Sequence, residues 1–462
     1  MPWPIKPFRN PFHLLTGSSL LFLILSWWKI FLTGNIKVDE NFLSGWQIPV
    51  LIGGVLCAFF FALKAILRLF QSPENLPFPY WVLFFSFCTP PFLSNDVFSY
   101  FYYGQALAHG YDVYRAFDGS NLSWYGFVGE RYLSTPSVYG LPLLILYATL
   151  GNFVGFHVYG SLILLKLFHL LALFLISTGL SQYHKNEGTR NWLIALPLVW
   201  IEGLANLHNE FLLLPLCIWG IVFYYRKKIV ISIIMWGLAA WCKFSFVLFL
   251  FWPILDKNGP YVIREKLRSF LFGGILLLGA HAITWFAVFR NIQFYDGIYL
   301  PLKTVSSLGP SSSLADIFYT VIRLFLSPVL AHSVNKMINL FMQGASVILF
   351  LLILKRNHHA SPPYLLWMMS VIFITIFSHR ILAWYFLMLI PLWNIKLSTV
   401  WVWWLVIVSM IYSTQGLIQF THPDLIFTKA VTVVLVGGGV VALFIWFKKR
   451  FLVISNHYFG KS

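Results

Sequence analysis

Charge is what this sequence has least of. Only 10% of its 462 residues are Asp, Glu, Lys or Arg, and the acidic ones number 15. A soluble domain carries roughly a quarter of its residues as charges, so this composition excludes an ordinary water-soluble globule. Cysteine is scarce too: Cys57, Cys88, Cys217 and Cys242 all fall in apolar segments, which offers neither a disulfide framework nor a thiolate metal site. The signatures of dinucleotide binding, of a phosphate loop and of zinc hydrolysis (G-x-G-x-x-G after a strand, G-x-x-x-x-G-K-[ST], H-E-x-x-H) are absent. The formal charge of +17 does not signal nucleic acid. Its lysines and arginines come in short clusters between apolar runs, at Lys185 to Arg190, Arg226-Lys227-Lys228, Arg264 to Arg268, Lys355-Arg356 and Lys448-Lys449-Arg450. That is how cytoplasmic loops are charged, and a polyanion groove would gather them on one face.

What is present is apolar and aromatic. Hydrophobic residues make up 59%, the mean hydropathy is +0.77, and there are 20 Trp, 22 Tyr and 46 Phe. The chain reads as an all-α polytopic membrane protein with about 12–14 transmembrane helices, in one domain over 1–462. His13 to Phe31 reads as a first uncleaved span entered from the inside, followed by Pro49 to Leu69 and Tyr80 to Leu93, which delivers the chain outside. The run Gly140 to Phe156 is read as a juxtamembrane or re-entrant helix, because a crossing there would put Lys185 to Arg190 on the wrong face. His157 to Leu180, Asn191 to Leu204, Leu207 to Tyr225 and Phe270 to Ala287 read as further spans. Val230 to Leu255 reads as a hairpin with Lys243 at its outer turn, since a lysine at the centre of one straight span costs about 3 kcal/mol on insertion scales. Two large outer loops result, 94–156 with its juxtamembrane helices and 290–334.

The largest polar island is Ser94 to Gly140, with Asp96, Asp112, Asp118 and Glu130 beside Arg115, Arg131 and His109. Ser94 or Asn95 can cap a helix in which Asp96 occupies the first turn, and Gly110 ends it. One reading of an isolated aspartate there is that it only caps. This one stands in a wall of rings with polar handles, including Tyr100, Tyr103, Tyr111 and Tyr114, which suits both a membrane interface and a sugar site. Glu202, Asn206, His208, Asn209 and Glu210 gather at the next outer junction, where desolvation is costly unless a polar partner shares the site. In Ser378 to Phe386, His379 and Arg380 offer donors and charge for a phosphate. Polar residues gathered at one face point to chemistry on a lipid substrate that slides in sideways. A flippase or other transporter of lipid-linked glycans, or a ligase or polymerase, stays open as the alternative, although no inverted pair of interrupted spans is seen.

Five stretches, SNDVFSYFYYGQALAHGYDVY, STPSVYGLPLLIL, Trp200 to Leu213, AAWCKFSFVLFLFWPI and SHRILAWYFLMLIPL, follow one another from Ser94 to Leu392. In this order they resemble the polyprenyl-phosphate-mannose-dependent alpha-1,6-mannosyltransferase group of the C-type (GT-C) membrane glycosyltransferases. The resemblance implies a GT-C fold with a retained seven-helix core, extracytoplasmic juxtamembrane helices, and a catalytic first outer loop whose acidic residue is Asp96. It implies a polyprenyl-phosphate-linked sugar donor, a glycan or glycolipid acceptor, surrounding membrane lipids, no nucleic acid, and a bacterial inner (plasma) membrane location with the site facing the periplasm or exterior. Asp96 is then the general base of an inverting hexosyl transfer. Lys243, His379 and Arg380 bind the donor phosphate. Tyr100, Tyr103, Gln105, Tyr139, Glu202, Asn206, His208, Asn209, Glu210, Trp384 and Tyr385 bind sugar or acceptor. The family often reads His-Asn-Asp where this chain has His208-Asn209-Glu210, and Asp96 stands beside Asn95 rather than a second acid. No cofactor and no divalent metal is expected.

Overall fold

The computed structural model describes residues 11–33, 47–69, 79–91, 94, 96–115, 117–128, 133, 135–184, 196–257, 259–288, scattered positions between 322 and 348, residue 366, and 383–392. Among them there is no strand, so the chain is helical where it is described. The helices are α1 (Pro11–Thr33), α2 (Gln47–Leu69), α3 (Tyr80–Cys88), α4 (Asp96–Ala108), α5 (Leu141–Phe153) and α6 (Val158–His184). A π-helical segment, Leu198–Ala205, leads to α7 (Asn209–Tyr225) and α8 (Ile229–Cys242). A 3₁₀ segment (Phe244–Phe251) runs on through Trp252–Leu255 to α9 (Ile263–Val288), and a last 3₁₀ segment covers Ala383–Leu392.

Three of these helices are long and apolar enough to cross a membrane, over Pro11–Leu32, Val158–Tyr183 and Ile263–Phe286; the pair Leu198–Ala205 and Asn209–Tyr225, bent by 115°, makes a fourth if it is one span. The larger crossing count read from the sequence draws on 291–321, 349–365, 367–382 and 393–462, which lie outside the described residues. Two sequence readings change. The expected third span, Tyr80 to Leu93, is a helix of only 9 residues, stopped where Thr89 turns extended before Pro90 and Pro91, because a residue preceding proline is pushed out of the helical region. The span expected from Asn191 to Leu204 has as its described part the 8-residue π segment, which is packed against α3, α6 and α7. α5, with 13 residues, falls short of the roughly 20 that a crossing needs.

The site is held by how these short pieces pack. α4 is buried from Val97 to Leu107, so it is an internal helix covered all round. It lies against α5, where Gly104 allows close approach: a Cβ there would stand 2.8 Å from the Ala148 nitrogen. α5 in turn is stapled to the end of α8, because the Gly140 N–H donates to the Cys242 carbonyl at 2.9 Å. α7 packs against α6, α8 and the 3₁₀ segment Ala383–Leu392. One internal core therefore joins the aromatic face of α4, the polar start of α7 and the end of α8.

Candidate active site

Asp96 opens α4. Its backbone N–H donates to Ser94 Oγ at 3.2 Å, and its carbonyl accepts the Ser99 hydroxyl at 2.6 Å. The side chain is 15% exposed, the least covered of a carboxylate–imidazole–carboxylate row. Behind it stands His208, wholly buried, with Nδ1 3.8 Å from Asp96 Oδ2 and Nε2 3.3 Å from Glu202 Oε2. Asn206 Nδ2 donates to the same Glu202 oxygen at 3.0 Å. The other oxygen, Glu202 Oε1, is buried without a hydrogen-bond partner among the described residues.

The chain reaches this arrangement by leaving the α-helix. The wide turns of the π segment end with the Asn206 N–H donating to Ile201 O, five residues back, at 2.8 Å. Leu207 then takes φ 60, a left-handed conformation that costs a non-glycine residue energy and holds only where packing over-determines it. Leu207 is fully buried. The turn throws His208 across the start of α7, and its N–H returns to Glu202 O at 3.0 Å. Glu202 and Asn206 thus share one face, as their four-residue spacing suggests, with His208 folded back upon them.

Lys243 stands where α8 ends, in an extended conformation before the 3₁₀ segment. Its ammonium pairs with Glu210 Oε1, donates to Asn209 Oδ1 at 3.3 Å, and lies 5.8 Å from the centre of the Tyr139 ring. Tyr139 meets Tyr100 edge-on at 5.0 Å, and Tyr100 stacks on Tyr147 at 5.1 Å. Burial, with Tyr139, Asp96 and Glu210 nearby, pushes the Tyr100 phenol well above its ordinary value, so it stays a neutral ring between the two polar groups. Tyr100 and Tyr139 therefore link the Asp96 row to the Lys243 pair.

The structure brings together Asp96, Tyr100, Tyr139, Glu202, Asn206, His208, Asn209, Glu210 and Lys243. Tyr103 and Gln105, expected at the sugar, make loop contacts, and the Tyr103 ring also meets Tyr139 at 6.4 Å. The Tyr103 hydroxyl donates to Thr135 O at 2.6 Å; Gln105 donates to Ser123 Oγ at 3.0 Å and accepts the Trp124 N–H at 3.2 Å. Trp384 and Tyr385 fall in the 3₁₀ segment that packs on α7 and the π segment. His379 and Arg380 lie outside the described residues. Among the described residues no group of three or more His, Cys, Asp or Glu side chains could hold a metal ion. Two residues went unremarked in the sequence: Lys166 and His169, on an otherwise apolar α6. The signal was there, since an ionisable side chain inside an apolar span marks a site by default.

Residues 75–255 match the family described as Alpha-(1->6)-mannopyranosyltransferase, N-terminal domain. The chain is also 22% identical over 322 residues to Alpha-(1->6)-mannopyranosyltransferase A of Mycobacterium tuberculosis, a match that takes in 64% of this chain and 60% of that relative. No solved structure matches the chain. The matched segment 75–255 contains Asp96, the π segment, His208, Glu210 and Lys243.

Proposed function

We propose that this chain, whose residues 75–255 match the alpha-(1->6)-mannopyranosyltransferase family description, is a membrane glycosyltransferase that moves a hexose, mannose in the first instance, from a polyprenyl-phosphate donor to a glycan or glycolipid acceptor at the extracytoplasmic face. The observation that carries the reading is the Asp96 row. A partly exposed carboxylate at a helix start, backed by a buried imidazole at 3.8 Å, is what a base for an acceptor hydroxyl requires: one face open to substrate and the other held by protein.

In the reaction the acceptor O–H bond breaks, its oxygen bonds to the sugar anomeric carbon, and the bond from that carbon to the phosphate oxygen breaks. Asp96 takes the proton and polyprenyl phosphate leaves. One carboxylate at the reacting centre suits inversion, since no second one is needed as nucleophile. Lys243 is the cation for the departing phosphate. It is 16% exposed and held by Glu210, so the donor phosphate competes with Glu210 for it, and negative charge building on the leaving oxygen strengthens that contact. His379 and Arg380, outside the described residues, are the further groups proposed for the same phosphate. His208 and Glu202, both fully buried, hold Asp96 in place and do not touch the sugar. Tyr100 and Tyr139 wall the space between base and cation, and no metal takes part.

The test is reconstitution of the full chain in liposomes with labelled polyprenyl-phosphate mannose and an added glycan acceptor, with and without exhaustive chelation. New glycosidic product in both conditions is the expected result. Label that crosses the bilayer without product would replace the transferase by a flippase, and activity rescued only by magnesium or manganese would overturn the metal-free chemistry.

A further inference from the structure

Lys166 lies within α6, the most hydrophobic of the candidate spans, and is buried. A cation so placed is costly unless it finds partners. Its Nζ donates three hydrogen bonds, to Thr89 O at 2.7 Å, Leu204 O at 3.0 Å and Ser86 O at 3.3 Å. An ammonium has three N–H donors, and all three are used.

The acceptors share one property: each lies at or beside a helix end. Ser86 lies in the last turn of the short α3, Thr89 caps it, and Leu204 is in the last turn of the π segment, where the last carbonyls have no partner within the helix. Thr89 leads through Pro90 and Pro91 toward Asp96, and Leu204 leads to Asn206, Leu207 and His208. One turn further along the same face of α6, the His169 ring contacts the His208 carbonyl through Nε2 at 3.3 Å and lies flat on Phe211 at 5.9 Å.

We infer that Lys166, seconded by His169, is a positioning residue: a tethered cation that ties the segment leading to Asp96 to the segment leading to His208 and so sets the distance between those two side chains. Its charge never meets substrate. It acts by satisfying three carbonyls that would otherwise face apolar surroundings and pull the two segments toward other partners.

The experiment has an arm that needs no enzymatic activity, so it reads the inference separately from the proposed transferase reaction, on which only the kinetic arm rests. Asp96→Cys with His208→Cys, in the full chain in nanodiscs, is oxidised and the linked 96–208 peptide is quantified by mass spectrometry. Adding Lys166→Met, which keeps bulk and removes charge, is expected to slow linkage at least about tenfold. In the otherwise wild-type chain, Lys166→Met is expected to lower kcat about 100-fold with donor Kd within about twofold, the pattern of a misplaced base rather than a lost pocket. Lys166→Ala leaves room for ethylammonium, which is expected to restore both linkage and turnover in that variant and to do nothing for Lys166→Met. Should Lys166→Met fail to fold, the Lys166→Ala comparison with and without ethylammonium decides alone. Unchanged linkage in Lys166→Met, or no response of Lys166→Ala to the amine, overturns the inference. Altered linkage in the cysteine pair, when the wild-type chain transfers no sugar, upholds it and sinks the transferase reading instead.

Discussion

Asp118 and Asp96 both lie in the polar island, and their surroundings separate them. Asp118 is exposed and closes a local turn, accepting the Ser120 N–H at 3.0 Å. The backbone bond, with the Ser120 hydroxyl second, holds its carboxyl below the usual range, which makes it a turn former. Asp118→Asn keeps that acceptor, so turnover within about twofold of wild type is expected in a steady-state assay. Lys243 is the opposite case, a mostly covered cation held by Glu210 and Asn209. If it receives the donor phosphate, Lys243→Met is expected to raise donor Kd about tenfold or more, about 1.4 kcal/mol, in a direct lipid-binding measurement. An unchanged Kd would return Lys243 to a structural role beside Glu210.

At the level of helices, the site depends on close approach where side chains are missing. Gly140 has ordinary backbone angles, φ −70 and ψ 158, so its smallness is needed only for space: a Cβ would collide with the Trp241 carbonyl. That contact sets α5 against the end of α8, one residue before Lys243. Gly140→Ala is expected to destabilise the chain by about 1–3 kcal/mol, seen as a lower thermal midpoint in detergent, and to weaken turnover with it. Much of this level could be read from sequence. The start of α4 at Asp96, the break at Lys243, the short helix after Gly140 and the junction around Asn206 follow from capping residues, from the cost of a buried lysine and from proline and glycine positions. What sequence could not give was the depth of the second cluster. Glu202 and His208 read as polar residues gathered at an outer junction, and it is the π turn and the left-handed Leu207 that fold them fully buried behind Asp96. The loop partners of Gln105 and Tyr103 were not legible for a related reason: spacing puts a polar side chain on a helix but does not say whether a loop returns to use it.

For the whole molecule, composition settled the class and the described helices agree with it, while orientation rests on where the basic clusters lie. That orientation has a direct check by cysteine accessibility in intact cells. Ser120→Cys, in the polar island, is expected to react with a membrane-impermeant maleimide from outside, and Lys227→Cys, in the turn after α7, only after permeabilisation. The reverse pattern would put the site on the cytoplasmic face and exclude an extracytoplasmic donor. Everything else in the functional account converges on one carboxylate, so the measurement that bears on it most directly is Asp96→Asn, assayed for transfer from labelled polyprenyl-phosphate mannose at saturating donor and acceptor with donor binding followed in parallel. The variant keeps the size and hydrogen-bonding capacity of the side chain and loses only its basicity. Turnover is expected to fall at least about 100-fold with donor Kd within about twofold; turnover at the wild-type rate would contradict the assignment of Asp96 as the base.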